Sequence, residues 1–321
     1  MKCDVIVSVA MTTYNGERYV VKQLESIYNQ TMKPDEVFIC DDGSKDNTVH
    51  LINDFINSHH LDNWKVMVNN PNLGWKENFF KVTGLVNGDI IFFSDQDDIW
   101  NEDKIEMMST LMIKHQMGAL YANKIIIDSE SHLMSGRQES TFFSGKLSKI
   151  ELKPSFCSIK TLGCCMCINR EVAEIYQRVG FYEDDHDSQC GRLALLFTSL
   201  WYLDKPVIRY RIHEGNSSGI SAVASYGQSN RINRIKEIES NIKWIGRVMD
   251  TLSLNEDMKI LLCKSRSFLT KRLGFFQGKV SFFYLLFKIQ YYTGISMLIG
   301  DFAYKYEFNK FAGKIMWMLK K

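Results

Sequence analysis

The chain has 321 residues, of which 45% are hydrophobic and 24% are charged. This composition is sufficient for a large buried core and excludes a disordered chain. The 39 basic and 37 acidic residues give a formal net charge of +2. No global positive field favours nucleic acid, and no basic cluster is long enough for a nucleic-acid-binding arm, so nucleic acid is excluded as a partner.

Eight cysteines raise the question of a zinc site or of disulfide bonds. Cys164, Cys165 and Cys167 lie too close together for the paired CxxC spacing of structural zinc sites. We therefore expect reduced, mostly packed thiols, with a zinc site as the alternative. Near the N-terminus, Asp4 precedes a short apolar run that lacks the length and cleavage pattern of a signal peptide. A cytoplasmic location is therefore expected.

In the first half of the chain, short β-rich runs alternate with helical patterns. The predicted strands are residues 5–10, 36–40, 64–68 and 89–94, and the predicted helices are residues 18–29 and 47–56. This alternation is typical of right-handed crossover units. It predicts an α/β fold with a mostly parallel central sheet that is covered on both faces.

Polar clusters follow three of these strands, at residues 12–15, 41–44 and 95–98. Ligands of parallel sheets bind at the carboxyl ends of the strands, so the clusters are expected to form one pocket. The first turn lacks a GxGxxG motif, which disfavours a nicotinamide or flavin site. The cluster at 41–44 also fits an ordinary turn. The carboxylates at 95–98 directly follow an apolar strand, which favours a divalent-cation site over a solvated loop.

Several segments, taken together and in this order, resemble the family 2 glycosyltransferases, which have the GT-A fold. The segments are residues 7–15, 40–48, 72–79, 94–100, 163–166, 186–187 and 210–216. The string SDQDDIW at 94–100 is similar to bacterial rhamnosyltransferase-like members in particular. The resemblance implies a Rossmann-like GT-A catalytic domain at residues 1–220. Residues 221–321 are then a helical C-terminal extension.

The resemblance also implies a nucleoside diphosphate sugar as the donor. Thr12 and Tyr14 would flank the base, and Asp42 would accept a hydrogen bond from the pyrimidine imide. Asn15 and Asp41 belong to the same implied nucleotide-sugar site. Because Asp42 would read thymine and uracil alike, both dTDP-sugars and UDP-sugars are candidate donors.

The aspartates after the fourth strand match the DXD element of the family, whose oxygen ligands suit Mn²⁺ or Mg²⁺. Asp97 would be the first metal ligand, while Asp95 would contact the ribose or reach the metal through water. His213 would close onto the metal and the diphosphate from a mobile loop at 214–219. Arg211 would neutralise phosphate charge or pair with an acid in the core.

Asp187 is the predicted catalytic base, because inverting transfer needs a group that takes the proton of the acceptor hydroxyl. The alternative is a carboxylate that stabilises a helix N-terminus, and both interpretations are compatible. Rhamnosyl members often have two tryptophans after the His-Asp pair, whereas Ser188-Gln189-Cys190 follow it here. This departure leaves the acceptor and the donor sugar open.

Beyond residue 221, apolar residues recur at helical spacing with basic residues between them. The apolar stretch at 280–299 is interrupted by Lys288 and Gln290, which disfavours a membrane-spanning helix. A basic, aromatic-rich tail at 276–321 is compatible with contact with an anionic membrane surface, such as the inner face of the plasma membrane. The alternative is a helical subdomain that packs on the catalytic domain or on a second copy of the chain.

The sequence therefore predicts an inverting, metal-dependent glycosyltransferase of bacterial cell-surface polysaccharide synthesis. The expected donor is dTDP-rhamnose, with UDP-hexoses as alternatives, and the expected acceptor is a glycan or a lipid-linked oligosaccharide. A non-catalytic sugar-nucleotide-binding subunit of a membrane assembly is the alternative from another class. The joint presence of Asp97, Asp187 and His213 argues against that alternative.

Overall fold

The computed structural model of the chain describes residues 5–138, 140, 142–182, 184–214 and 230–306. Within these residues the chain forms two compact units. The first unit contains the residues up to Glu151 together with Lys160–His213. The second unit contains Leu152–Ile159 and the residues from Glu214 onward.

The first unit is built on one sheet, which has nine strands among the described residues. The strands are β1 (Val7–Thr13), β2 (Glu36–Asp41), β3 (Trp64–Val68), β4 (Ile90–Ser94), β5 (Ile99–Trp100), β6 (Ala119–Ile127), β7 (Leu147–Lys149), β8 (Met166–Asn169) and β9 (Leu200–Arg211). Their spatial order is β3-β2-β1-β4-β8-β6-β9-β5, and β7 pairs with β9. Strands β1 to β4 are mutually parallel, whereas β8 is antiparallel to both β4 and β6.

Helices lie between the strands of this unit, as the alternating pattern predicts. They are α1 (Val20–Tyr28), α2 (Thr48–Ser58), α3 (Trp75–Leu85), α4 (Lys104–Lys114), α5 (Arg170–Val179) and α6 (His186–Phe197). In α1, Val20, Leu24 and Ile27 are fully buried at helical spacing. The chain therefore has the predicted mixed α/β fold with a mostly parallel sheet.

The four strands predicted from the sequence are confirmed. The first extends three residues beyond its predicted end, because β1 is central in the sheet and Thr13 still pairs with Asp41 of β2. Every residue of β1 is buried. In β4, consecutive Phe92 and Phe93 are both fully buried, so both faces of the sheet are covered at this point.

The sheet topology brings the candidate site residues to one edge. Thr13 pairs with Asp41, and Met11 pairs with Ser94, so the polar clusters after β1, β2 and β4 begin at neighbouring positions. Strand β8 runs in the opposite direction, with Cys167 opposite Phe92. The segment that precedes β8 therefore enters the sheet at the same edge.

The second unit is helical, as predicted for the C-terminal part of the chain. Its helices are α7 (Asn230–Thr251), α8 (Glu256–Phe276), α9 (Phe282–Leu286) and α10 (Ile295–Lys305). Trp244 on α7 and Phe275 on α8 are fully buried within it. Among the helices that the structure describes, none is long and apolar enough to cross a membrane.

A buried ion pair links α8 to α10 in this unit. Asp301 accepts hydrogen bonds from Arg272 Nε at 2.5 Å and from Arg272 Nη2 at 2.8 Å, and both side chains are at most 2% exposed. The Tyr292 hydroxyl donates to the same carboxylate at 2.9 Å. Arg234 lies 3.5 Å away. Bidentate geometry and the additional donors offset the desolvation of the pair.

We expect Asp301→Ala to destabilise the chain strongly, because it leaves the buried Arg272 guanidinium without its carboxylate. The expected loss is about 3–5 kcal/mol of unfolding free energy, measured by urea unfolding followed by circular dichroism. Glu256→Ala is the matched control, since it removes an ion pair with Lys259 whose side chains are 81% and 49% exposed. Equal unfolding midpoints for the two variants would contradict the assignment.

Candidate active site

Asp41 organises the turn after β2. Its Oδ2 accepts hydrogen bonds from the hydroxyls of Thr13 at 2.8 Å and Ser44 at 2.5 Å. Its Oδ1 accepts the backbone N–H groups of Gly43 at 3.0 Å and Ser44 at 2.8 Å. Asp41 is fully buried, so it fixes the turn against the end of β1.

Asp42 holds the loop that precedes α3. Its Oδ1 accepts the N–H of Leu73 at 2.8 Å and the Asn69 amide at 2.9 Å, and its Oδ2 accepts the N–H of Gly74 at 2.8 Å. Asp42 is only 3% exposed. Among the described residues Gly74 is the one donor to Oδ2, so a second lone pair of this oxygen is available for an imide N–H.

The loop after β1 is held by Gln96, a residue for which the sequence assigned no role. The Gln96 amide accepts the Tyr14 N–H at 2.7 Å and donates to the Tyr14 carbonyl at 2.9 Å. The Tyr14 side chain is exposed, whereas Thr12 is buried within β1. A Cβ on Gly16 would lie 2.2 Å from Gln96 Oε1, so any larger residue would displace the Gln96 amide from Tyr14.

Asn15 joins the loops after β1 and β2. It has a positive φ of 48°, a backbone region that asparagine tolerates better than most residues. Its N–H donates to the Ser44 hydroxyl at 2.8 Å, and its side-chain Oδ1 accepts the Lys45 N–H at 2.8 Å. The structure thus places Asn15 and Asp41 on the same pair of linked turns.

Three carboxylates follow β4 in mostly buried surroundings. Burial, with Asp97 and Asp187 nearby, raises the pKa of Asp95 to about 7, and burial beside Asp97 raises the pKa of Asp98 well above its usual range. Asp98 Oδ1 accepts the Arg211 N–H at 3.1 Å, while no described residue bonds to its buried Oδ2. Oxygen donors that repel one another in a buried setting fit a divalent cation, which would offset their charge.

Asp97 and His213, predicted from distant parts of the sequence, are in contact. His213 Nε2 lies 2.7 Å from Asp97 Oδ2, and both side chains are mostly buried. The His213 ring also packs on Tyr19, with 4.7 Å between the ring centroids. The predicted mobile loop after His213 lies, beyond Glu214, outside the described residues.

Arg211 is fully buried, and its side chain bonds to backbone oxygens. Its Nε donates to the Asp97 carbonyl at 2.7 Å, and its Nη1 donates to the carbonyls of Asp128 at 3.1 Å and Ser129 at 3.0 Å. These contacts fix the turn that carries Asp97 and Asp98. The Arg211 side chain therefore supports the backbone of the aspartate turn and contacts the Asp97 carbonyl.

Asp187 lies in the first turn of α6, as predicted. It is 7% exposed, and its Oδ1 accepts the N–H of Ser188 at 2.7 Å. Burial and the neighbouring Asp185 raise its pKa to about 7, although Lys160 acts in the opposite direction. The charge of Asp187 also raises the pKa of Asp95, so the predicted base lies within electrostatic reach of that carboxylate.

His186 is buried against aromatic rings beside the predicted base. Its ring stacks on Phe79 at 3.8 Å between centroids and meets the edge of Phe93 at 4.8 Å. Burial lowers its pKa to about 3, so the imidazole is neutral. No described residue bonds to either ring nitrogen. The sequence identified His186 only as part of the His-Asp motif.

Lys104, for which the sequence predicted no role, is a fully buried lysine at the start of α4. Its ammonium donates to the Cys164 carbonyl at 2.7 Å and lies 3.4 Å from the centroid of the Trp100 ring. Burial lowers its pKa to about 8. Lys104 thereby anchors the 3-10 turn Gly163–Cys165, which leads into β8.

We expect Gly163→Ala to destabilise the fold by about 1–3 kcal/mol. A Cβ at this position would lie 2.4 Å from His186 Nε2, and the imidazole cannot retreat because Phe79 and Phe93 hold it. Gly136→Ala is the control, because a Cβ there meets nothing within 4 Å. Thermal unfolding of both variants tests the packing, and an unchanged midpoint for Gly163→Ala would contradict it.

Comparisons with known proteins identify the family of the chain. A family model described as Glycosyl transferase family 2 matches residues 8–175. The chain is 30% identical over 230 residues to the dTDP-rhamnosyl transferase RfbG of Shigella flexneri, a match that covers 67% of this chain and 76% of RfbG. It is 32% identical over 128 residues to the Escherichia coli UDP-Glc:alpha-D-GlcNAc-diphosphoundecaprenol beta-1,3-glucosyltransferase WfgD, which covers 40% of this chain and 49% of WfgD.

Solved structures support the same conclusion for the fold. The crystal structure of S. aureus TarS 1–349 in complex with UDP-GlcNAc matches with a TM-score of 0.58 and 18% identity, over 92% of this chain and 81% of that chain. The mannosyltransferase PcManGT from Pyrobaculum calidifontis, in complex with GDP-Man and Mn²⁺, matches with a TM-score of 0.51 and 14% identity, over 87% of this chain and 73% of that chain. The chain therefore belongs to glycosyl transferase family 2 and has the GT-A fold.

Proposed function

We propose that the chain is an inverting glycosyltransferase that transfers rhamnose from dTDP-rhamnose to a glycan or lipid-linked acceptor. Membership of the family establishes a transferase that uses nucleotide-sugar donors. The observation that carries the proposed mechanism is the position of Asp187. It is a mostly buried carboxylate in the first turn of α6, its pKa is raised to about 7, and its charge acts on Asp95 after β4.

Of the matches to RfbG and WfgD, the match to RfbG covers more of this chain, and the choice of donor rests on it. RfbG is named a dTDP-rhamnosyl transferase, and the match extends over 67% of this chain. WfgD is named for UDP-Glc, and its match extends over 40% of this chain. UDP-hexoses are therefore the second choice. Thr12, Tyr14 and Asp42 are the proposed contacts of the pyrimidine base, since a carboxylate reads the imide of thymine and uracil alike.

The mostly buried carboxylates after β4 fit a hard divalent cation, Mn²⁺ or Mg²⁺. Asp95, Asp97 and His213 are the residues proposed to hold it. When bound, such a cation neutralises negative charge on the diphosphate leaving group. Arg211 keeps the aspartates in place through the Asp97 carbonyl and its own backbone N–H to Asp98.

Asp187 is the proposed general base of a single displacement. Its carboxylate takes the proton of the acceptor hydroxyl as the hydroxyl oxygen attacks the anomeric carbon. The bond between that carbon and the diphosphate oxygen breaks at the same time, and the electron pair leaves with the diphosphate. Attack from the face opposite the leaving group inverts the anomeric configuration. The raised pKa makes Asp187 a stronger base than an ordinary carboxylate.

The helical unit is the proposed contact with an anionic membrane surface, where a lipid-linked acceptor would be held. Phe283 is 70% exposed and Phe287 is 81% exposed. A neighbouring cavity of about 300 Å³ is lined by Lys264, Lys288 and Tyr284, among others. Aromatic side chains beside cationic groups suit the boundary between anionic head groups and acyl chains. The predicted tail beyond residue 306 lies outside the described residues.

We expect Asp187→Asn to abolish glycosyl transfer while donor binding is retained, because the amide cannot accept the acceptor proton. Asp185→Asn is the matched control, since Asp185 is 41% exposed and pairs with Lys76. Transfer is measured with donor and acceptor, and donor affinity by calorimetry. Full transfer by Asp187→Asn would contradict the assignment of the base.

The pH dependence of the thermal midpoint of Asp187→Asn shows whether a loss of transfer comes from removal of the base or from unfolding of the protein. The folded state raises the pKa of Asp187 to about 7 from 3.8, so ionising it destabilises the folded state progressively as the pH rises from about 4 to 7. Asp187→Asn removes this cost. Its thermal midpoint should exceed that of the parent, and by more at pH 8 than at pH 5. A lower midpoint at pH 8 would show that the carboxylate is structural.

We expect Phe283→Asp with Phe287→Asp to release the protein from vesicles that contain anionic lipid, because the charges oppose insertion and binding to the head groups. Sedimentation with phosphatidylglycerol vesicles measures the bound fraction. Ile260→Asp is the control, since Ile260 is an exposed apolar residue on α8. Equal sedimentation of the three proteins would favour the alternative in which these helices pack against protein.

A further inference from the structure

Cys164, Cys165 and Cys167 lie in the turn before β8 and in β8, and Cys164 forms a group with two of the carboxylates after β4. One ligand atom each of Cys164, Asp95 and Asp98 lie within 4.8 Å of one another, and the Cys164 thiol is hydrogen-bonded to Asp95. The Cys165 thiol instead donates to the Asn123 carbonyl at 3.6 Å. Cys167 lies in β8 and is buried in the hydrophobic core.

The protein holds this thiol in place through its backbone. Lys104 Nζ donates to the Cys164 carbonyl at 2.7 Å, and Lys104 is itself fully buried. Hydrogen bonds of the 3-10 turn Gly163–Cys165 further constrain the residue. The Cys164 side chain is therefore pre-positioned beside the carboxylates.

Asp98, which lies near the Cys164 thiol, has a carboxylate oxygen without a hydrogen-bond partner among the described residues. Asp98 is fully buried, and this oxygen is its Oδ2. An unsatisfied buried carboxylate oxygen is costly and calls for a proton, a water or a cation. Together with Cys164 and Asp95, it completes a set of two oxygen donors and one sulfur donor.

We propose that the Cys164 thiolate is a further direct ligand of the divalent cation that Asp95, Asp97 and His213 are proposed to hold, with Asp98 as an additional oxygen donor. The thiol loses its proton to solvent when the cation binds, as thiol ligands generally do. This inference rests on the proposed function, because the cation is the one that neutralises the donor diphosphate. A sulfur ligand disfavours Mg²⁺, which prefers oxygen, relative to Mn²⁺ and the softer Zn²⁺ and Cd²⁺. The chain therefore selects Mn²⁺ over Mg²⁺ through Cys164.

Cd²⁺ is the probe for this test, because a thiolate bound to Cd²⁺ gives an ultraviolet charge-transfer band that carboxylate ligands do not give. All proteins carry Cys3→Ser and Cys263→Ser, the latter because Cys263 is exposed and would bind Cd²⁺ independently. The parent is compared with Cys164→Ser and with Cys167→Ser, the matched buried control. Calorimetry measures Cd²⁺ affinity, and thermal unfolding confirms that each variant is folded.

The parent and Cys167→Ser should show the band at one equivalent of Cd²⁺. Cys164→Ser should lose the band, bind Cd²⁺ about tenfold or more weakly, and discriminate less between Mn²⁺ and Mg²⁺. A band that persists in Cys164→Ser would overturn the proposal. Stoichiometric Cd²⁺ binding by the parent without a band would overturn it while leaving the metal-dependent function intact. Absence of Mn²⁺ and Cd²⁺ binding in all three proteins would overturn both.

Discussion

Mutual repulsion among buried carboxylates is the constraint on which the candidate site depends. Asp95, Asp97 and Asp98 follow an apolar strand, and the charge of Asp187 on α6 acts on Asp95. Placing like charges in a setting of low dielectric constant is unfavourable unless positive charge or donors compensate. The surrounding residues supply compensation through the backbone N–H of Arg211, the ammonium of Lys104 and the contact of His213 with Asp97. The raised pKa values of Asp95 and Asp98 reflect the repulsion, which the proposed cation would offset.

The fold produces this arrangement by bringing separate chain segments to one sheet edge. Parallel strands β1, β2 and β4 end there, and antiparallel β8 begins there with the turn that carries Cys164. Polar side chains then fix the loops: Asp41 and Asp42 accept backbone N–H groups, and Gln96 holds Tyr14 by both of its backbone groups. Pre-organised loops of this kind lower the entropic cost of binding a donor.

Local pattern predicted the elements of the fold, whereas the roles of the site residues stay predictions. Hydrophobic periodicity located the four parallel strands, and the family resemblance singled out Asp97 and His213, which the structure brings within 2.7 Å of each other. Other features depend on pairing between distant segments. Lys104 begins α4, and its ammonium contacts both Trp100 and the turn before β8. The thiol of Cys164 forms a group with Asp95 and Asp98, whereas the Cys165 thiol donates to the Asn123 carbonyl. No spacing rule in the sequence contains that information.

The central claim is that this edge of the sheet binds and uses a nucleotide-linked sugar. The most direct test is a screen of the purified protein with Mn²⁺ against dTDP-rhamnose and common UDP-sugars, in which binding and slow hydrolysis of each donor are followed. The account predicts that dTDP-rhamnose binds in a metal-dependent way and is hydrolysed faster than any UDP-hexose. Tight binding of free dTDP or UDP without turnover of any sugar donor would contradict it.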